Sequence, residues 1–316
     1  LGTAEWGQWI EASTAITDVH IAEKEADESG AGCVISDLEV EDAGKQNGLD
    51  MSLKQKVLTN MIMNENEGEC AGAAKPELTE VKTTLPIKDA SGWVNAPSGA
   101  KEFTIPVSNG LERRPVLVLP NADGIFDKIA IYKSKKDAEP IVVLDQPHTV
   151  VNDILDTVSK GGKKIDVARQ AILIEIAPDG SMVEMYLGNA MEADNDMLFH
   201  PKSLLTQIRE NVGQFRSVSM MIGDTPKCAN EIFAPLWESY SEWQANCMNY
   251  LIEANGYEVI FSHLHNVDIA GHTFWELAKY RPHKEAYDEK LYQDVMERFY
   301  VDTDRYLGRF MHLPRS

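Results

Sequence analysis

The sequence has few cysteines and no long apolar run. These two features argue against a disulfide-rich protein and against a membrane-spanning one. Its four cysteines lie far apart among 316 residues and form no Cys-xx-Cys pair. Neither a zinc knuckle nor a dense disulfide framework is therefore indicated. No apolar run approaches the length of about 18 residues that a spanning helix needs, and the first residues lack the pattern of a signal peptide. We therefore expect a cytoplasmic protein with reduced thiols and no membrane contact.

Basic residues are also scarce relative to acidic ones. The chain has 30 Lys and Arg against 50 Asp and Glu, which gives a formal charge of -20. An acidic surface repels the phosphates of nucleic acids and of anionic membranes, so no polymeric nucleic acid is expected as a partner. A small phosphorylated substrate remains compatible with this charge, because bound metal ions reverse the local field in a site.

Residues 77–200 are predicted to form a β-rich domain. Short β-branched runs alternate here with prolines and turn residues, which is typical of a mainly antiparallel sheet. The runs are Val81–Leu85, Glu102–Ile105, Val116–Leu119, Ile129–Tyr132 and Ile141–Leu144. A further hairpin is predicted from Arg169–Ile176 to Met182–Leu187, because Pro178–Gly180 between them has turn chemistry.

Two lysine-containing segments of this region resemble phosphate contacts at first sight. They are Lys133–Lys136 and Gly161–Lys164. The second lacks the glycine spacing of a P-loop and the Ser or Thr that follows its lysine. Both segments therefore favour solvated hairpin turns.

Residues 1–76 are predicted to be an irregular and helical lead-in. The apolar residues of the first 30 positions recur at spacings near three and four, which suggests helical turns. Glu23–Gly48 is rich in acidic and small residues and is expected to be a solvated loop. Leu49–Met63 has the apolar period of a helix.

Residues 201–316 are predicted to form an α/β unit. Its most strand-like run is Val259–Phe261, which follows a cap at Gly256 and has the length of a buried strand. Helical patterns surround this run at Pro201–Val212, Glu231–Ala254, Thr273–Lys279 and Lys284–Phe310. The aromatic stripe of Glu231–Ala254 favours core packing over a cofactor site.

Three imidazoles and a carboxylate follow the predicted strand within a few residues. They are His263, His265, Asp268 and His272. Open α/β sheets bind ligands where their strands end, and a turn into the next helix would bring Asp268 and His272 together. A carboxylate oxygen and an imidazole nitrogen suit Zn²⁺, Mn²⁺ or Fe²⁺. A lone histidine there is more often a hydrogen-bonded surface or core residue, but the density of the cluster favours a metal site.

A competing motif uses the same residue types. Metallo-β-lactamase-like hydrolases carry His-x-His-x-Asp-His, whereas this chain has one extra residue before Asp268 and three residues between Asp268 and His272. The spacing therefore differs from the metallo-β-lactamase-like motif at two points.

The segment Phe261–Trp275 resembles the Asp-xx-Gly-His metal motif of the alkaline phosphatase superfamily, in its type I phosphodiesterase/nucleotide pyrophosphatase branch. Four other segments resemble the inserted region of bacterial members: Ala90–Trp93, Ala100–Phe103, Ala190–Asp194 and Phe199–Lys202. The resemblance implies the α/β fold class, with a partial alkaline-phosphatase-like core and a large β-rich insertion or cap. It also implies two divalent metals, with zinc expected, one of them ligated by Asp268 and His272. His263 and His265 have no ligand role in that pattern and are expected to face the ligands or the substrate.

The function implied by the resemblance is metal-dependent hydrolysis of phosphate esters, of the phosphodiesterase or nucleotide pyrophosphatase type. The family's Ser or Thr nucleophile has no convincing counterpart here, because Thr3, Ser13 and Thr14 do not follow a strand that ends in Asp. We therefore expect an internal piece of a larger enzyme, with weak metal binding, negligible turnover in isolation, and an unpaired sheet edge open to association. The alternative is a non-catalytic binding or structural protein with a relic metal site; sulfatase and mutase activities also stay open.

Overall fold

The computed structural model describes residues 3–5, 7–26, 33–40, 82–108, 110–218, 226–257, 259–271 and 289–311. These residues combine strands and helices, with open sheets. The strands are β1 Thr3–Glu5, β2 Gln8–Ser13, β3 Val19–Ala26, β4 Cys33–Val40, β5 Thr83–Pro86, β6 Lys88–Asp89, β7 Lys101–Val107, β8 Glu112–Pro120, β9 Phe126–Ile131, β10 Val142–Leu144, β11 Val150–Lys160, β12 Lys163–Ile176, β13 Met182–Leu187 and β14 Ala190–Glu192. The helices are α1 Ser203–Asn211, α2 Ala234–Asn255, α3 Asn266–Ala270 and α4 Glu289–Gly308, with shorter helical turns at Asp196–Leu198, Pro226–Cys228 and Ala229–Phe233.

The strands form a nine-stranded and a five-stranded sheet. The large sheet has the order β1-β14-β12-β13-β2-β5-β3-β4, and β11 pairs with the other edge of β12. The small sheet has the order β10-β9-β8-β7-β6. Pairing is antiparallel except between β2 and β5, which run parallel. The mainly antiparallel pairing predicted for the β-rich runs is thus confirmed, and the large sheet also includes β1–β4 of residues 3–40.

The large sheet is the middle of three layers. Successive side chains of a strand point to opposite faces, so each strand can serve two cores. Leu173 of β12 packs in the core between the two sheets, whereas its neighbours Ile172 and Ile174 pack against the helices. In β13, Met185 lies on the first face and Tyr186 on the second. Burial of such side chains contributes about 1.5–3 kcal/mol each, before the entropic cost of ordering them.

Both lysine-containing segments of the β-rich region lie in turns, as predicted. Gly161 and Gly162 have φ of 56° and 78°. They connect β11 to β12 and lie between Lys160 and Lys163, which are the last paired residues of the two strands. Two successive residues with positive φ are what the tight turns of hairpins require, and glycine adopts them without steric cost. Residues 133–140 connect β9 to β10. The Arg169–Ile176 hairpin is also confirmed by the pairing of β12 with β13.

The helices predicted within residues 201–316 are confirmed where the structure describes that part of the chain. The segment from Ala229 to Asn255 is helical and ends at Gly256, whose φ of 64° is left-handed. The aromatic stripe packs in the core, with Phe233 and Trp237 buried against the large sheet. None of the described helices is long and apolar enough to cross a membrane.

The expected helical turns in residues 1–30 are wrong, because strands β1, β2 and β3 begin there. Trp9 and Ile10 are adjacent, yet both are buried, since β2 is covered on its two faces. The resulting apolar spacing imitates a helical period. The loop predicted at Glu23–Gly48 is wrong where β3 and β4 pair. The predicted helices Leu49–Met63 and Thr273–Lys279 lie outside the described residues.

Candidate functional site

The predicted site lies in the segment that connects α2 to α3 and in the first turn of α3. His263 and His265 lie in the segment between these helices, and Asp268 lies in the first turn of α3. His272 is outside the described residues. Three of the four predicted side chains can therefore be placed, and they are close together.

The buried strand predicted at Val259–Phe261 is wrong. The described part of residues 256–265 contains no strand, and Val259 and Phe261 are 72% and 96% exposed. A strand needs a neighbour to take up its backbone hydrogen bonds. None of the described strands of either sheet pairs with this segment.

His265 is engaged by Asp268. Its Nε2 forms a hydrogen bond with Asp268 Oδ2. The ring of His263 stacks on that of His265, with ring centroids 4.7 Å apart and an interplanar angle of 28°. Both His265 and Asp268 are about half exposed, so this group of three side chains is open to solvent.

The histidine segment is held on the helices by polar side chains. Gln244 of α2 donates through Nε2 to the carbonyl of His263 at 3.0 Å and to Ser262 Oγ at 3.2 Å. Ser262 Oγ also contacts the hydroxyl of Tyr306 on α4 at 3.0 Å. The serine next to the histidines is thus bound on two sides and is not presented as a free nucleophile.

A buried polar network fixes α3 beneath the site. Asp302 of α4 accepts hydrogen bonds from Ser241 Oγ at 2.6 Å and from Asn266 Nδ2 at 2.9 Å. Asn266 Nδ2 also donates to Thr303 Oγ1 at 3.1 Å. Asn266, Asp302 and Ser241 are almost fully buried, so the network joins three helices in a dry environment where an unmade hydrogen bond is costly. Asp268 therefore projects from a helix whose first residue is firmly placed.

Asp302 should make stability depend on pH. Burial raises the pKa of Asp302, and the hydrogen bonds from Ser241 and Asn266 offset this only in part. A raised pKa in the folded state means that the folded protein holds the proton more tightly than the unfolded chain does. This contribution to stability is complete below the ordinary pKa of 3.8 and is lost as the pH rises through the higher folded value.

We therefore expect the free energy of unfolding of the wild type, relative to Asp302→Asn, to fall as the pH rises above about 4. Urea unfolding of both proteins at several pH values up to neutrality measures the difference. Asp304→Asn, on the exposed side of the same helix, is the matched control and should show no such drift. Parallel curves for wild type and Asp302→Asn would contradict the expectation.

The described residues do not fit a two-metal centre. Among them, no three His, Cys, Asp or Glu side chains form a group that could hold a metal ion. Asp268 and His265 supply an oxygen and nitrogens, but they contact each other. A two-metal centre needs several ligands on each ion, and the described residues do not supply them.

Two of the insertion-like segments meet in space. Trp93 Nε1, from Ala90–Trp93, donates a hydrogen bond to Glu102 of Ala100–Phe103, and Lys135 Nζ lies 2.7 Å from both carboxylate oxygens of Glu102. Burial would raise the pKa of Glu102, but the hydrogen bonds from Lys135 and Trp93 outweigh it and lower the pKa. The carboxylate therefore stays ionised and anchors a loop over the small sheet, which is a structural role.

The other two insertion-like segments line a cleft with the stretch that follows α1. Met191 and Phe199 face Phe215 there. An adjoining cleft is lined by Arg169, Arg216 and Asp153 and has room for about one water molecule. Burial lowers the pKa of Arg216 and the negative charge of Asp153 opposes this shift, so the cleft is partly charge-balanced. Its size does not admit a phosphorylated substrate.

Sequence reasoning found His263, His265 and Asp268, but it missed Asn266 and Asp302.

Comparison with protein-family models, curated proteins and solved structures finds no match for this chain.

Proposed function

We propose that the chain serves the metal-dependent hydrolysis of phosphate esters, of the phosphodiesterase or nucleotide pyrophosphatase type. In this proposal the helices of residues 201–316 belong to an alkaline-phosphatase-like core, and Asp268 and His272 ligate one divalent ion, with zinc the first choice. The observation that carries the proposal is the exposed carboxylate of Asp268, which stands beside two imidazoles on a helix fixed by buried Asn266. Oxygen and nitrogen donors of this kind are those that Zn²⁺ takes in hydrolytic sites.

The β layers support the proposal in a second way. A metal site that rests on helices needs another element to cover the substrate and to select its leaving group. The two packed sheets lie beside the helical layer, and in this proposal they form the cap. The charge of -20 favours a small substrate whose phosphate is neutralised by the metal, and it disfavours polymeric nucleic acid.

A second candidate is a non-catalytic binding protein with a relic metal site. The contact between His265 and Asp268 favours it, because that contact satisfies a carboxylate that a catalytic metal would use. The absence of a three-ligand group among the described residues points the same way. The two candidates differ in whether the full-length protein turns over a phosphate ester.

The deciding measurement is hydrolysis of bis-p-nitrophenyl phosphate and p-nitrophenyl phosphate by the full-length protein supplied with Zn²⁺ or Mn²⁺. We expect the diester to be preferred, and Asp268→Asn to lower kcat/KM by roughly 100-fold or more, because a ligand of the charge-stabilising ion is lost. Asp304→Asn, an exposed carboxylate on α4, is the matched control and should leave kcat/KM unchanged. Absence of turnover on both esters, or an unimpaired Asp268→Asn variant, would favour the non-catalytic candidate.

A further inference from the structure

Two arginines line the small cleft between the large sheet and the stretch that follows α1. Arg169 of β12 is 3% exposed, and Arg216 lies in the stretch after α1. An arginine side chain stays protonated in proteins, so both guanidinium groups keep their charge here. The wall of a cleft with room for about one water molecule therefore carries two positive charges.

Arg216 has more hydrogen-bond donors than the described residues satisfy. Its Nη1 donates to the carbonyl of Ser239 at 2.9 Å and to Ser239 Oγ at 3.3 Å. Its Nε is buried and has no hydrogen-bond partner among the described residues. A guanidinium group has five N–H donors, and a buried donor without a protein partner usually indicates a bound water or ion. Arg216 can therefore donate to a small acceptor in the cleft.

The carboxylates near the cleft do not neutralise both arginines. Asp153 lines the cleft, and its Oδ1 accepts a hydrogen bond from the backbone N–H of Gln214 at 2.9 Å. The negative charge of Glu242 also reaches Arg216, but Glu242 is paired with Arg309 Nη2 at 2.8 Å. Among the described residues that line the cleft, Asp153 supplies the one carboxylate against two guanidinium groups. A charge removed from water needs a partner, so the cleft favours an added negative charge.

We propose that this cleft binds one halide ion, chloride in the cell, between the guanidinium groups of Arg169 and Arg216. A chloride ion is only slightly larger than a water molecule, so it suits the room in the cleft, whereas sulfate and phosphate are too large. The ion connects β12 of the large sheet to the stretch after α1. This site is separate from the segment of Asp268 and does not depend on hydrolysis.

The test is urea unfolding of the full-length protein in sodium chloride, sodium bromide or sodium gluconate at the same ionic strength. An ion that binds only the folded state stabilises it by mass action. We expect the unfolding midpoint of the wild type to rise with chloride and bromide and to stay constant with gluconate. Arg216→Gln should weaken the apparent chloride affinity by about tenfold or more. Arg209→Gln is the matched control, because Arg209 pairs with Asp194 on the surface, and it should respond to chloride as the wild type does.

Asp153→Asn tests the site in the opposite direction. Asp153 has φ of 58°, a left-handed conformation that asparagine tolerates, and an asparagine side chain can still accept the hydrogen bond from Gln214. Removing the negative charge should strengthen chloride binding by about threefold or more, which a purely structural role of Asp153 does not predict.

Broadening of the chloride resonance in nuclear magnetic resonance measures the same affinities on folded protein. Equal stability of the wild type in chloride and gluconate would show that the cleft holds only water, and it would overturn the site. Unchanged or weaker chloride binding by Asp153→Asn would overturn it as well. Absence of phosphate-ester turnover bears on the proposed function alone, because these readouts need no substrate.

Discussion

Replacing Arg114 by alanine is expected to destabilise the protein by about 3–5 kcal/mol, because it leaves the buried carboxylate of Asp156 without its partner. Arg114 Nε and Nη2 donate to the two oxygens of Asp156 at 2.8 and 2.9 Å, and Nη2 also donates to the carbonyl of Thr157. Both charged side chains are only 4% exposed. Arg114 lies on β8 of the small sheet and Asp156 on β11 of the large sheet, so the pair ties the two sheets together.

Urea unfolding at neutral pH measures this effect. Arg209→Ala is the matched control, since Arg209 pairs with Asp194 on the surface, and it should cost less than about 1 kcal/mol. The apolar double variant Arg114→Met with Asp156→Leu should recover most of the loss, because no buried charge is left unpaired. A cost below 1 kcal/mol for Arg114→Ala would show that water reaches Asp156.

The carboxyl group of the neighbouring Glu112 stays ionised in mild acid. Burial would raise the pKa of Glu112, but hydrogen bonds from Lys164 and Ser159 outweigh it and bring the pKa to about 2. Its stabilising contribution is complete above the ordinary value of 4.5 and is lost only as the pH falls towards 2. The loss caused by Arg114→Ala should therefore be similar at pH 5 and pH 7.

Replacing Phe299 by alanine is expected to cost about 3–5 kcal/mol, because a cavity would open between α4 and the large sheet. Phe299 is 2% exposed, and its ring centroid lies 5.6 Å from that of Phe233. Phe299→Leu should cost less, since it retains most of the buried volume. Tyr300→Ala, at the exposed neighbouring position, should change stability by no more than about 0.5 kcal/mol.

The same substitution should loosen the candidate site. The carbonyl of Phe299 accepts a hydrogen bond from Thr303 Oγ1 at 3.0 Å, and Thr303 contacts Asn266 at the start of α3. Hydrogen exchange of the α3 amides should therefore accelerate in Phe299→Ala more than exchange in the small sheet does. Equal acceleration in both places would indicate global unfolding without a local effect on the site.

The elements that the sequence predicts well are those whose signals are local. The turn residues Pro178–Gly180 predict the β12–β13 hairpin. A long aromatic stripe, followed by Gly256, predicts α2. The pairing of β2 with β13 joins residues 169 to 179 positions apart, and such a long-range pairing leaves no signal in a short stretch of sequence. Val259–Phe261 has the composition of a buried strand, but composition cannot supply the neighbouring strand that it needs.

The residues of the candidate site also separate into those that the local sequence predicts and those that it does not. His263, His265 and Asp268 are close in sequence, so their proximity is predictable, whereas Asn266 and Asp302 meet across 36 positions. One signal for Asp302 was present in the sequence. Val295, Phe299 and Tyr306 recur at helical spacing on the buried side of α4, and Asp302 occupies a position of that same stripe. A carboxylate at an inward position of an apolar helix face is worth testing for a buried partner.

The placement of the nine-stranded sheet in the middle separates the two outer layers. The five-stranded sheet and the helical layer pack on opposite faces of it, so their main cores share no side chain. Insertions and substitutions on the outer surface of the small sheet can accumulate without disturbing the helices that hold Asp268. Natural variation should therefore diversify one outer layer while the other stays constant, and chimeras that exchange residues 88–144 between variants should leave the hydrogen-exchange protection of α2 and α4 unchanged.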